Sequence, residues 1–181
     1  MFDERLTIGT GRLVLRPYTP ADAGWVREVI AAGVQDTALP PGAPEDPAEV
    51  DRWLADGIHE LPRSGQGIHL AMATPDGIVG SISVYNADPQ TGTAEVGYGV
   101  HPEHRGRGYA TEALRGLAGH LLGTGVLNKI RLRARPDNIA SLRVAEKAGF
   151  VKEGVEPGAE VDEDGVHDLV VFGLVREDAR P

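Results

Sequence analysis

The chain has 181 residues, 41% of them hydrophobic, and a mean hydropathy of -0.21. This size and composition suit one buried core, so a single domain over residues 1–181 is expected and global disorder is not. The net charge of -9 argues against broad nucleic-acid binding. The absence of cysteine excludes disulfides, thiolate zinc sites and a cysteine nucleophile, and is typical of a cytoplasmic protein. We find no signal-peptide pattern and no apolar run that could span a membrane.

The first third of the sequence predicts one strand and two helices. Residues 12–17 alternate apolar and polar side chains, which is typical of a strand. A helix is predicted over 19–32, because a threonine cap is followed by proline and aspartate in the first turn. A second helix should begin at Asp46 and end before Pro62. Its inward-facing side chains would be Val50, Trp53, Leu54 and Ile58.

The rest of the sequence alternates strands with helices. Alternation and turn residues predict strands over 68–73, 78–85, 93–100, 130–135, 150–157 and 167–175. Apolar periodicity predicts helices over 108–122 and 138–148. In strand 130–135, three arginines alternate with apolar side chains, so one face is apolar and the other basic. This order predicts a mixed α/β sheet.

The segment HPEHRGRGYATEAL, residues 101–114, places two arginines and two glycines directly before the helix at 108–122. The start of a helix leaves backbone N–H groups unpaired and carries partial positive charge. Glycine lets the backbone approach a ligand, and arginine adds full charge. The segment therefore predicts an anion site for a phosphate or pyrophosphate. The alternative is that the glycines only turn the chain and the arginines are solvated.

With these motifs the chain resembles the GNAT N-acetyltransferases, in the branch of the RimJ/RimL ribosomal-protein N-terminal acetyltransferases. The matching blocks are RLVLRP at 12–17, AEVGYGVHPEHRGRGYATEAL at 94–114, the series Asn138, Ser141, Glu146, Lys147, Gly149 and Phe150, and DLVVFGLV at 168–175. The resemblance implies a mostly antiparallel sheet of about seven strands flanked by about four helices. It also implies that strand 93–100 splays from strand 130–135 to hold the cofactor.

The resemblance implies acetyl-CoA as cofactor, with its pyrophosphate on the turn at 105–110 and its pantetheine arm between the splayed strands. The implied cofactor-binding residues are Val100, Arg105, Gly106, Arg107, Gly108, Tyr109, Ala110, Asn138 and Lys147. No metal is expected, although His101 and His104 have the spacing of metal ligands, because no third or fourth ligand is apparent.

Acetyl transfer to an amine needs a base for the amine and a donor for the leaving thiolate. Without cysteine, direct attack by the bound amine is the simpler route. Glu95 is the candidate base, directly or through water; the alternative is a strand glutamate that pairs with an arginine. Many family members carry a tyrosine where this chain has Ala145. Ser141 is then the remaining hydroxyl donor, and its alternative role is helix capping.

An amine-bearing acceptor is the expected partner, either a protein N-terminus or a small amine such as a polyamine or antibiotic. The acidic side chains of the last hairpin would favour a cationic substrate, or would simply be solvated. They are Glu153, Glu156, Glu160, Asp162, Glu163, Asp164 and Asp168. A catalytically silent module that binds acyl-CoA is the rival function, and a homodimer remains open. No nucleic acid or membrane partner is expected.

Overall fold

A computed structural model describes residues 2–177, and these contain one eight-stranded sheet. The strands are β1 (Ile8–Gly9), β2 (Val14–Arg16), β3 (Ile68–Thr74), β4 (Gly77–Asp88), β5 (Thr93–Val100), β6 (Lys129–Ala134), β7 (Val151–Asp162) and β8 (Gly165–Val175). Their order is β1-β2-β3-β4-β5-β6-β8-β7, and within this range only β5 and β6 pair in parallel. The predicted mixed, mostly antiparallel sheet is confirmed. The additional strand is β1, which is too short to show alternation.

Six α-helices occur among the described residues. They are α1 (Ala23–Ala31), α2 (Gln35–Ala38), α3 (Val50–Ala55), α4 (Glu60–Ser64), α5 (Tyr109–Gly123) and α6 (Ile139–Lys147). Helices α1, α5 and α6 match predicted helices, whereas the four-residue helix α2 was not predicted. Asp46 caps a short 3-10 turn before α3, and its side chain accepts the Ala48 N–H at 2.8 Å.

The prediction of one continuous helix from Asp46 to just before Pro62 is wrong. Helix α3 ends at Ala55, and Asp56 leaves the helical region with φ -139° and ψ -55°. A 3-10 turn follows, and Pro62 then lies inside α4. Pro62 is tolerated there because it lies in the first turn, where a backbone N–H has no partner within the helix.

The helices cover the two faces of the sheet and bury a core on each. On one face, α5 and α6 pack on the larger core, which includes Leu114, Leu117, Ile82, Val96 and Ile130. On the other face, helices α1 to α3 and the 3-10 turn after α3 enclose a smaller core around Tyr18, Val26, Leu54 and Ala71. Trp53 is buried in this second core, which confirms its predicted inward-facing position, and Trp25 packs against the same core.

Strands β5 and β6 separate beyond their first residues. Their pairing covers only Thr93 to Glu95 against Lys129 to Arg131. From Val96 onward, β5 pairs with β4 alone, and β6 pairs with β8. The predicted splay is therefore confirmed, and it opens a gap in the middle of the sheet.

The basic face of β6 forms ion pairs with the acidic side chains of β7. The pairs are Lys129–Glu153 at 2.7 Å, Arg131–Glu156 at 2.5 Å, Arg133–Glu156 at 3.2 Å, and Arg135 with both Glu160 and Asp162. Gly173 of β8 lies between β6 and β7. Its lack of a side chain leaves room for these pairs, because an added Cβ would be 2.3 Å from Glu153 Oε1. Strand β7 extends to Asp162, beyond the predicted end at 157, and four of the seven acidic side chains of the hairpin pair with β6. These four carboxylates are therefore held within the sheet by arginine and lysine side chains.

Candidate active site

The glycine-rich turn before α5 has the conformation that an anion site requires. Gly106 and Gly108 adopt φ of +74° and +81°, a region that favours glycine. Gly108 is the N-cap of α5, and no side chain caps this helix. The first N–H groups of α5 therefore remain available to a ligand, with the partial positive charge of the helix start. Arg105 and Arg107 add their charges beside them.

The same turn is fixed from outside by Arg12, just ahead of β2. The Arg12 Nη1 donates to the Arg107 carbonyl at 2.9 Å, and its guanidinium lies 4.8 Å from the centre of the Tyr109 ring. Its Nε donates to Glu112 at 2.7 Å, and Thr10 donates to the same carboxylate at 2.6 Å. Burial disfavours the charged Glu112, but these hydrogen bonds outweigh it and lower its pKa to about 2. The turn is therefore held in place before any ligand binds.

A cleft of about 650 Å³ runs from this turn past the end of β5, where β5 has separated from β6, to the residues of α6. Every residue that the sequence predicted for cofactor binding lines it: Val100, Arg105, Gly106, Arg107, Gly108, Tyr109, Ala110, Asn138 and Lys147. Its open helix start suits a pyrophosphate, and its splayed strands suit an extended pantetheine arm. At the strand end, the Val100 carbonyl accepts from Arg105 Nε at 3.2 Å. The chemistry of the cleft fits coenzyme A.

A second cavity, of about 490 Å³, opens on the opposite face of the sheet and is called the acceptor cavity here. Its floor is formed by β4 and β5, and its walls by α2 and the loop that follows. Its polar lining includes Gln35, Asp36, Glu45, Ser81, Ser83 and Tyr85. Gln35 Oε1 is buried there without a hydrogen-bond partner. The two cavities share Asp36, Tyr98 and Gly99, so they meet at the splayed end of β5.

Glu95 lies on the acceptor-cavity face of β5, beside the last residues that pair with β6. Arg133 Nε donates to Glu95 Oε2 at 2.9 Å, and Asn86 lies 3.4 Å from Glu95 Oε1. The Glu95 side chain is only 14% exposed. Among the described residues, the lining of the acceptor cavity includes Gly97 but not Glu95. The arginine pairing given as the alternative for Glu95 is therefore present, and a base would have to act from here through water.

Ser141 lies in the first turn of α6, in the wall of the cofactor cleft. Its backbone N–H donates to the Asn138 side chain at 3.1 Å, so Asn138 caps the helix and the Ser141 hydroxyl is not the cap. The Tyr98 hydroxyl is buried beside Ser141 without a well-formed hydrogen bond, and burial raises the pKa of this phenol. Ala145 is fully buried in the larger core. The hydroxyl-bearing residues Ser141 and Tyr98 both line the cofactor cleft.

Comparison with known proteins shows the family. The family model described as an acetyltransferase (GNAT) domain matches residues 12–151. The chain belongs to the GNAT acetyltransferases. The ribosomal-protein-serine acetyltransferase of Escherichia coli strain K12 is 33% identical over 127 residues, which cover 70% of this chain and 71% of that protein. The acetyltransferase accordingly falls in the RimJ/RimL-like branch and takes its acetyl group from acetyl-CoA.

Solved structures show the same fold. A RimL ribosomal L7/L12 alpha-N-protein acetyltransferase in complex with coenzyme A matches with a TM-score of 0.81 at 21% identity, over 94% of this chain and 98% of that one. RimJ of Mycobacterium smegmatis, in complex with CoA-disulfide, matches with a TM-score of 0.78 at 23% identity, over 97% of this chain and 90% of that one. These likenesses confirm the GNAT-type architecture with its splayed strands.

Neither a metal cluster nor a membrane segment is found in the described part of the acetyltransferase. Across residues 2–177, no group of three or more histidine, cysteine, aspartate or glutamate side chains could hold a metal ion. The rings of His101 and His104 lie 5.8 Å apart, centre to centre, beside the cofactor turn. No helix in this range is long and apolar enough to cross a bilayer.

Sequence reasoning missed most of the acceptor side of the acetyltransferase. Ser83, Gln35 and the junction residue Tyr98 were not singled out, because each becomes notable only through neighbours distant in the chain. One local signal was present in the GYG of β5. A Cβ at Gly99 would lie 2.3 Å from the Thr37 carbonyl oxygen, and one at Gly97 would lie 3.2 Å from the Tyr85 ring. These glycines leave room for α2 and for the tyrosine that lines the cavity.

The Gly99→Ala variant should lower the free energy of unfolding by about 2 kcal/mol, because its Cβ would push the backbone of Thr37 away from β5. Urea denaturation followed by circular dichroism measures this. The matched control is Gly119→Ala, at an exposed position of α5 with nothing within 4 Å of the added Cβ. The free energy of unfolding of this control should increase by about 0.5–1 kcal/mol, because alanine has a higher helix propensity than glycine. Equal effects at the two positions would contradict the packing argument.

Proposed function

We propose that the acetyltransferase moves an acetyl group from acetyl-CoA to a primary amine by direct attack within a ternary complex. The observation that carries this proposal is the meeting of the cofactor cleft and the acceptor cavity at Tyr98 and Gly99. An amine entering from one face of the sheet would there meet a thioester held from the other. Such placement converts a bimolecular reaction into an effectively unimolecular one between two bound groups.

The polar groups around this junction suit the charges that develop during attack. Ser141 is assigned as the hydrogen-bond donor to the leaving sulfur, with the buried Tyr98 hydroxyl beside it. Glu95 is assigned as a base that acts through water, because it lies outside the lining of the acceptor cavity and is paired with Arg133. Hydroxyl and carboxylate groups aimed at a reacting centre commonly change such rates by about 100-fold or more.

The acceptor is proposed to be the α-amine of a protein N-terminus or a small amine. The E. coli relative is named for acetylating a ribosomal protein, which favours the first. The exposed carboxylates Asp36 and Glu45 line the acceptor cavity and would attract a protonated amine. This local charge replaces the acidic hairpin as the feature that selects a cation.

Acetyl transfer is tested by the release of coenzyme A thiol with peptide N-termini, polyamines and aminoglycosides as acceptors. Glu95→Gln and Ser141→Ala should each lower kcat by about 10-fold to 100-fold while acetyl-CoA binding, measured by isothermal titration, stays unchanged. The exposed substitutions Glu28→Gln and Ser64→Ala are matched controls and should retain wild-type rates.

The rival function, a silent module that binds acyl-CoA, is favoured by Ala145 at the position of the usual tyrosine. It predicts tight acetyl-CoA binding without transfer to any amine in the panel. If Glu95→Gln and Ser141→Ala both transfer acetyl groups at the wild-type rate, the roles assigned to Glu95 and Ser141 are wrong, but the proposed reaction is still supported.

A further inference from the structure

A buried serine and a histidine connect the acceptor cavity to the neighbouring strand. Ser83 on β4 and His69 on β3 are direct partners in the strand register. The His69 Nδ1 and the Ser83 Oγ are 2.7 Å apart. Ser83 lines the acceptor cavity and is only 2% exposed, whereas His69 is half-buried and lies outside the cavity lining. We propose that Ser83 and His69 form a relay that carries a proton from the bound acceptor amine to solvent.

The relay deepens the proposed function and rests on it. An amine that enters as ammonium has no lone pair and must lose one proton before it attacks. The acceptor cavity is enclosed by α2 and its loop, so a fixed path for this proton is useful. Ser83 offers that path because it is part of the cavity lining, whereas Glu95 lies outside that lining and is paired with Arg133.

The relay needs a neutral imidazole whose Nδ1 can accept the serine hydrogen. Burial lowers the pKa of His69 to about 4, so the ring is neutral at pH 7. The titratable groups on the elements packed against β3 are Arg16, Tyr85, Asp88, Glu60 and Arg63. Arg16 is paired with Asp22 and Arg63 with Asp56, and burial alone accounts for the His69 shift.

The proton transfers balance without any added reagent. One N–H bond of the ammonium breaks and an O–H bond forms on Ser83. The original Ser83 hydrogen passes to His69 Nδ1, and the hydrogen on Nε2 leaves to water. Exchange of the ring hydrogens with water then restores the Nε2-protonated ring before the next turnover. The neutral amine then attacks the thioester carbonyl, and its second hydrogen ends on the departing thiol. A low pKa at His69 suits this role, because the ring passes the proton on and does not retain it.

The relay is tested by steady-state kinetics of Ser83→Ala and His69→Gln across pH, with the acceptor that the wild type uses. Glutamine can hold the serine hydroxyl but cannot pass a proton through a ring. Each variant should lose about 100-fold in kcat below the pKa of the acceptor amine. The loss should shrink toward none above that pKa, where the amine enters neutral. The solvent deuterium isotope effect on kcat should increase, and acetyl-CoA binding should not change.

Two further variants separate the relay from simple packing. Ser83→Thr keeps the hydroxyl and should recover most of the activity lost in Ser83→Ala. Ser81→Ala removes an equally buried hydroxyl from the lining of the same cavity, at a position that pairs with Ala71 and not with His69. It can alter the KM for the acceptor but should leave the shape of the pH profile unchanged. A pH-independent loss shared by Ser81→Ala and Ser83→Ala would overturn the relay.

Nitrogen-15 NMR of the His69 ring gives a readout that needs no acceptor. The relay requires hydrogen on Nε2 and a bare Nδ1 between pH 6 and pH 8, where the ring is neutral because its pKa is about 4. A hydrogen on Nδ1 would overturn it. Wild type that binds acetyl-CoA but acetylates no amine would overturn the proposed function and the relay together. Active wild type with unaffected Ser83→Ala and His69→Gln would overturn the relay alone.

Discussion

Gly108→Asp is expected to weaken acetyl-CoA binding by about 100-fold, which corresponds to about 2.7 kcal/mol. Gly108 is the N-cap of α5 with φ +81°, where a residue with a side chain is strained by about 1–2 kcal/mol. The aspartate would also place a negative charge at the helix start, where the pyrophosphate is expected. Both effects oppose the cofactor, so isothermal titration with acetyl-CoA should show the loss directly.

Gly33→Asp is the matched control for the backbone effect. Gly33 follows α1 with φ +68° and has nothing within 4 Å of an added Cβ, so it carries similar strain without lining the cofactor cleft. The two variants should lose similar stability in thermal denaturation, and only Gly108→Asp should lose acetyl-CoA. Wild-type affinity in a folded Gly108→Asp protein would show that the pyrophosphate does not bind at this turn.

Asp22→Ala should lower the free energy of unfolding by about 3 kcal/mol, because it leaves the Arg16 guanidinium partly buried and unpaired. Asp22 is 7% exposed and receives two hydrogen bonds from Arg16, at 2.8 Å and 2.9 Å. It also accepts the Thr19 N–H at 2.7 Å, which fixes the entry into α1. Urea denaturation at pH 7 measures the loss. Asp51→Ala, which breaks the exposed pair with Arg27, should cost far less.

The pair also predicts a dependence of stability on pH. Burial disfavours the charged Asp22, but hydrogen bonds from Arg16 and Thr19 outweigh it and lower the pKa of Asp22 below 3.8. The contribution of Asp22 to stability is therefore complete above pH 3.8 and is lost as pH falls through the lower folded-state value. Asp22→Ala should remove this part of the acid dependence.

The double variant Arg16→Met/Asp22→Leu should recover part of the stability, since neither charge is then left alone. Equal losses in Asp22→Ala and Asp51→Ala would refute the buried pair.

The sequence by itself determined the features that depend on neighbours along the chain. The helix at 108–122, its glycine-rich start and the arginines of β6 follow from periodicity, positive φ and charge within a few residues. The anion site of the turn could therefore be predicted from the sequence alone, whereas Val100, Asn138 and Lys147 were assigned to the cofactor only through the family resemblance. The splay of β5 from β6 was reached only through the family resemblance.

Tertiary structure alone decided the acceptor side. Ser83 meets His69, and Glu95 meets Arg133, because strands from separate parts of the chain pair in a particular register. Likewise, the acidic hairpin is neutralised because β8 inserts next to β6 and lets side chains of β7 reach across it. A register shift of one residue would turn each of these side chains to the opposite face of the sheet. Local patterns do not specify that register, because many long-range contacts must be satisfied together to set it.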